Sequence, residues 1–192
     1  MIQSFGNRLA EDLFYGRRTR ETRTVPPQLL RAARRKVLYL HDAGEPNDLR
    51  VPPGNRPEAL PGRGKRVNSI RINDQWRIGF QFEHGHATGV AVLDCAKERS
   101  MATRLPAEPS SPIHPGEMLL EEFLTPGGIT QAAFATRLGW TRARLNELIK
   151  GKRGITADAA LDLAEVLGTS PRLWMNLQAS YDLAAAEKRR AA

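Results

Sequence analysis

Residues 96–112, Ala-Lys-Glu-Arg-Ser-Met-Ala-Thr-Arg-Leu-Pro-Ala-Glu-Pro-Ser-Ser-Pro, carry three prolines and no period of large apolar residues. Neither a helix nor a strand is built on such a pattern, so the stretch reads as a linker. The patterning differs on its two sides: alternation dominates the later part of the first half, while three- and four-residue spacings run through the second. Two folds of different class are therefore expected, over residues 1–95 and 113–192. A chain of 192 residues fits two small domains, and 41% hydrophobic content is enough for a core in each.

Several classes drop out early. Cys95 is the single cysteine, so no disulfide forms within the chain and no cysteine cluster offers metal-ligand spacing. A reducing cytoplasm is the expected compartment. The first residues, Met-Ile-Gln-Ser-Phe-Gly-Asn-Arg, lack the apolar stretch of a secretory signal, and no run of about 18 apolar residues suggests a membrane span. The net charge of +8 is uneven: residues 1–100 hold 18 Lys+Arg against 11 Asp+Glu, and residues 101–192 hold 11 against 10. A basic field of that size suits a polyanion such as nucleic acid, or serves solvation alone.

In the first half, residues 26–43 place Leu29, Leu30, Ala33, Val37 and Leu40 at helical spacing, with Arg31, Arg34, Arg35 and Lys36 on other faces. A shorter helix is expected over 7–15, using Leu9, Leu13 and Phe5. Beyond a Pro/Gly-rich stretch, residues 67–72 and 76–82 flank Asn73-Asp74 as a hairpin, and residues 88–93 add a third antiparallel strand. The half is α+β, with two helices on an antiparallel sheet. Alternation puts Trp76, Ile78, Phe80 and Phe82 on the core face and Arg77, Gly79 and Gln81 on the other. Arg77 thus reads as an RNA-facing cation or as a salt-bridged sheet arginine. His84 and His86 read as exposed turn residues.

The second half is all-α, with five helices. Pro115-Gly116 precedes the first; Thr130, Thr141 and Thr156 each open a helix, Gly139 and Gly168 end two, and Ser170-Pro171 starts the last. The pair 130–139 and 141–149 has the spacing of a helix-turn-helix. Phe134, Ala135, Leu138, Leu145 and Leu148 supply its buried positions. Arg142, Arg144 and Asn146, together with Thr141 at the start of the second helix, remain for a surface that meets base edges in a major groove, Arg142 foremost. Gln131, Lys150, Lys152 and Arg153 are placed to hold phosphates. His114 before Pro115-Gly116 lacks metal-ligand partners and reads as a helix-start motif.

Residues 113–183, from Ile-His-Pro-Gly-Glu-Met-Leu-Leu through Ser-Pro-Arg-Leu-Trp-Met-Asn-Leu, resemble a HigA-type antitoxin with an XRE (Cro/C1-like) helix-turn-helix. That resemblance implies a homodimer that binds palindromic operator DNA and represses its own operon. Asn55-Arg56-Pro57-Glu58-Ala59-Leu60-Pro61-Gly62-Arg63 and residues 69–78 resemble a HigB toxin of the RelE superfamily. The family cuts messenger RNA on the ribosome without metal or other cofactor, by 2′-hydroxyl attack on the adjacent phosphate. The chemistry needs a base, a proton donor and cations facing the phosphorane. Arg77, Arg71, Lys65, Arg63, Arg56 and Arg66 are candidate cations, and Glu58 and Asp94 candidate proton-handling groups.

The last strand departs from the family, which ends in aspartate, tyrosine and histidine where this chain reads Leu93-Asp94-Cys95-Ala96. Loss of the stacking ring and of the imidazole implies weakened or absent cleavage. The chain thus looks like a toxin and an antitoxin fused in frame, naturally or by deliberate joining, with Met101 opening the second segment. Two functions follow: an autorepressor whose toxin half is neutralised by contact within the chain or between subunits, or a DNA-binding regulator whose RelE-like half is an interaction module.

Overall fold

The computed structural model describes residues 1–59, 67–95 and 112–190. They fall into two compact units, one mainly from the first half and one mainly from Pro112 onward, with Arg50–Gly54 counted in the second, each with its own core. The expected linker, apart from Pro112, lies outside the described residues.

In the first unit, α1 (Arg8–Tyr15) is capped by Asn7, whose Oδ1 accepts from Ala10 N at 3.0 Å, and is ended by left-handed Gly16. Its Leu9 and Leu13 are buried against α2 (Pro27–Asp42), where Ala33, Val37 and Leu40 form the apolar stripe. A five-residue helix, α3 (Pro46–Arg50), follows. Its start is held by Asp48, whose Oδ2 accepts from Gly44 N and Glu45 N.

The sheet is an antiparallel meander in the order β1 (Glu58–Ala59), β2 (Val67–Arg71), β3 (Trp76–Glu83), β4 (His86–Asp94). The β2–β3 turn forms as the residues suggest: Asn73 Oδ1 accepts from Gln75 N and Trp76 N. Ile70, Trp76, Ile78 and Phe80 are buried, while Phe82, near the strand end, is only half-buried. Between Gly79 and Gln81 the β3–β4 register shifts, and left-handed Gly89 lies in the bulge. Residues 2–6 bridge β4 in parallel, with Gln3 N donating to Ala87 O and Gly6 N to Val90 O. They cover an edge that would otherwise be open. Asn7 joins this seam, donating to Val92 O at 2.8 Å and accepting from Val92 N.

The second unit opens with one continuous helical segment: α4 (Pro115–Met118), a π-helical stretch Leu119–Leu124, and α5 (Thr125–Gly127). The widened turns lie just before Pro126, which has no N–H to give the Glu122 carbonyl. Next come α6 (Gln131–Arg137), α7 (Arg142–Ile149), α8 (Ala157–Leu167) and α9 (Pro171–Arg190). Thr130, Thr141 and Thr156 cap their helices as expected, each accepting from the backbone N–H three residues on. Leu119, Phe134, Leu145, Leu163, Leu173 and Trp174 centre the core, with Trp174 Nε1 donating to Thr169 Oγ1 at 2.8 Å. Gly116 marks a close helix crossing, because a Cβ there would fall on the Leu148 carbonyl of α7. No helix among the described residues is long and apolar enough to cross a membrane.

Candidate nucleic-acid interfaces

On the first unit, the position of the toxin-like candidates depends on a buried polar knot. Lys36 Nζ donates to Asn55 Oδ1 at 2.6 Å, Asn55 Nδ2 to Leu49 O at 3.0 Å, and Arg71 N to Asn55 O at 2.6 Å. The knot fixes Arg56, whose φ of 39° is left-handed, and leads into β1. Arg77 reaches this segment from β3. Its Nε donates to the buried Ser69 Oγ at 2.9 Å, its Nη2 to Arg56 O at 2.9 Å, and its Nη1 lies 3.1 Å from Glu58. Ser69 Oγ in turn donates to Glu58 O.

Arg77 is therefore a salt-bridged sheet arginine. Among the described residues these contacts use three of the five guanidinium N–H groups and leave one on each Nη. Arg71 stands opposite Arg77 in the β2–β3 register and pairs with Asp74. Asp94 sits at the far end of β4, where Oδ1 accepts from Gln75 Nε2 at 2.9 Å. Arg77 and Glu58 are thus brought together, whereas Asp94 belongs to the hairpin end. Lys65, Arg63 and Arg66 lie outside the described residues. Cys95 is exposed, and His84 and His86 are exposed around the β3–β4 turn.

On the second unit, α6 and α7 are joined through left-handed Gly139, and Trp140 N donates back to Ala135 O at 2.9 Å. Arg142, in the first turn of α7, is exposed and has no partner among the described residues; the same holds for Lys150 and Lys152 beyond its last turn. Asn146 Nδ2 donates to Gln131 Oε1 at 3.2 Å, tying the start of α6 to the middle of α7. Thr141 is committed to its cap, and Arg153 pairs with Glu147 at 3.0 Å.

Arg144 is placed differently from Arg142. Its guanidinium lies 3.8 Å from the Trp140 ring centroid and 3.8 Å from Asp162, and Trp140 Nε1 donates to Asp162 at 2.7 Å. This cluster braces α7 against α8. Sequence reasoning missed Trp140 and Asp162 as α7 supports, and Ser69 and Gln75 in the first unit. Asp162 gave no signal because its partners stand 18 and 22 residues away.

His114 caps α4. Its Nδ1 accepts from Gly116 N at 3.0 Å and its ring meets Tyr181 edge-on at 4.7 Å. Burial holds the imidazole below its usual range, against the opposing pull of Asp182 and Glu117. No group of three or more His, Cys, Asp or Glu side chains suited to a metal occurs among the described residues.

Residues 4–94 match the model for the RelE-like toxin of type II toxin-antitoxin system HigB, and residues 120–174 match a helix-turn-helix model. The chain is 46% identical over 76 residues to virulence-associated protein I of Dichelobacter nodosus, covering 40% of this chain and 70% of that protein. It is 44% identical over 72 residues to antitoxin HigA-1 of Vibrio cholerae (38% and 68%), and 45% identical over 65 residues to toxin HigB-1 of the same organism (34% and 68%). Among solved structures, the Pseudomonas aeruginosa antitoxin HigA with higBA promoter is 42% identical, over 42% of this chain and 87% of that one, with a TM-score of 0.40. The chain belongs to the HigB-like toxins through its first half and to the HigA-type helix-turn-helix antitoxins through its second, a toxin–antitoxin pair carried in one polypeptide.

Proposed function

We propose that the second half, residues 113–192, binds operator DNA as a homodimer and represses its own operon. The first half, residues 1–95, is in this reading a messenger-RNA endoribonuclease held neutral by its fused antitoxin in the cytoplasm. The observation that supports the DNA-binding part is the set of cations at both ends of α7 that are exposed and without a partner among the described residues, Arg142 for a base edge and Lys150 and Lys152 for phosphates in this reading. A dimer would set two such helices roughly 34–36 Å apart, on half-sites about one helical turn apart. Carrying both halves in one chain gives each an effective concentration of roughly millimolar for the other, so neutralisation is constitutive.

The test of the toxin half is induction of residues 1–95 alone beside the full chain, with growth and primer-extension mapping of messenger RNA. Arrest with discrete cuts, abolished in the full chain, supports a working toxin held by its partner. No arrest at confirmed soluble expression supports the second reading, a DNA-binding regulator with a retired ribonuclease fold. That reading is favoured by one observation, the engagement of Arg77 with Glu58 in a chain that has Cys95-Ala96 where the family has tyrosine and histidine.

A further inference from the structure

Between α1 and α2 the chain reads Tyr15-Gly-Arg-Arg-Thr-Arg-Glu-Thr-Arg23, four arginines in seven residues with no lysine among them. The loop has an ordered interior. Arg17 N donates to Asp12 O at 2.7 Å, Thr19 Oγ1 to the buried Asp12 carboxylate at 2.6 Å, and Thr19 N to the buried Thr22 Oγ1 at 2.9 Å. A single 3-10 turn, Thr22–Thr24, then delivers the buried Val25 to the core. Arg18, Arg20 and Arg23 stand outside this frame, exposed and without a hydrogen-bond or ion-pair partner closer than 4 Å among the described residues. Arg17 pairs with Glu11 at 3.2 Å and lies 4.5 Å from the Tyr15 ring centroid. The loop's own carboxylate, Glu21, is held below its usual range first by its backbone hydrogen bond and by Thr19, with Arg8 and Arg20 adding to the effect. Tyr15 is 55% exposed and packs edge-on against Phe14 at 5.0 Å, so the ring is braced yet open to solvent.

Guanidinium groups projected from a rigid loop suit phosphate oxygens better than flexible ammonium groups do, because little order is lost on binding. An exposed aromatic ring beside them adds a stacking platform for an unpaired base. We infer that residues 15–23 form a second RNA-binding surface, distinct from the Arg77–Glu58 site, that grips single-stranded RNA through Arg18, Arg20 and Arg23 and stacks a base on Tyr15. The inference rests on reading the first half as acting on RNA, and it adds a substrate-holding role that does not depend on cleavage.

The test uses the full chain and a fluorescein-labelled 12-nucleotide single-stranded RNA of mixed sequence, with affinity followed by anisotropy across salt concentrations. Replacing Arg18, Arg20 and Arg23 together with Gln should lower the slope of log K against log salt by about 2, since each phosphate contact on a single strand contributes about 0.7. Tyr15→Leu should weaken binding about tenfold with the slope unchanged. Lys150→Gln with Lys152→Gln, on the other unit, should leave RNA affinity within about twofold, and an RNA duplex of equal length should bind more weakly. Unchanged melting temperatures show that the exposed substitutions leave the fold intact. Unaltered affinity and slope in the triple Arg variant, or equal binding of duplex and single strand, overturns the inference. RNA binding that depends on the loop in a chain whose first half never cuts messenger RNA sinks the ribonuclease reading and keeps this surface. Cutting by residues 1–95 with loop-independent binding does the reverse.

Discussion

Replacing Gly116 with alanine sets two effects of opposite sign against each other. Alanine is the better helix former, and intrinsic propensity alone favours the variant by up to about 1 kcal/mol. The added Cβ, however, would fall on the Leu148 carbonyl and within 2.9 Å of Ile149 Cα, both backbone atoms that no rotamer change moves aside. The crossing of α4 and α7 must open by roughly 1 Å or more, which costs about 1–3 kcal/mol by the scale of overpacked cores. Gly116 N also takes the His114 cap, and disturbing such a cap costs about 1 kcal/mol. The net loss is about 1–3 kcal/mol, or roughly 5–20 °C in the melting temperature of a unit this size. Thermal unfolding followed by far-ultraviolet circular dichroism measures it, since the helical second unit dominates that signal. An unchanged or raised midpoint would refute the reasoning and show that the crossing yields without strain.

Three further outcomes are expected. His114→Asn keeps a side-chain acceptor for the cap but removes the titration. In the parent chain the unfolded state takes up the proton first as pH falls below about 6.5, so stability drops until the lower folded value is passed. The variant's denaturation midpoint should flatten over that window, although His41, also held low by burial and the nearby amino terminus, keeps a slope of the same sign in the first unit. On operator DNA, Arg142→Ala should cost about 1–3 kcal/mol and relax sequence preference, while Lys152→Ala should weaken all sequences alike and reduce the salt slope by about 1, as gel-shift titrations would show. Asp162→Ala strands the Trp140 indole N–H and should cost about 1–3 kcal/mol in urea denaturation, most of it recovered by Asp162→Asn.

What the sequence made legible was local. Leu29, Ala33, Val37 and Leu40 announce α2, Asn73 announces the hairpin turn, and three threonines announce three helix starts, because each signal acts within about one turn of chain. The two-residue β1 and five-residue α3 were hidden, being too short to show a period and held by Asn55 and Ser69 from elsewhere in the chain. The π-helical stretch was hidden because its apolar spacing also suits an ordinary helix. In the candidate sites, residue types could be named but not their partners: nothing in the local pattern separates Arg142, without a partner among the described residues, from Arg144, turned onto Trp140 and Asp162.

Asn7 does two jobs, capping α1 and holding Val92 across 85 residues of chain. The first fold therefore cannot close until its last strand has been made, so its completion coincides with the start of synthesis of the second half. At about 5–20 residues per second the remaining chain follows within about 5–20 s. In a separate toxin, closure would precede any encounter with an antitoxin made elsewhere. Here the order of synthesis means that every newly folded first half is already attached to the growing second half.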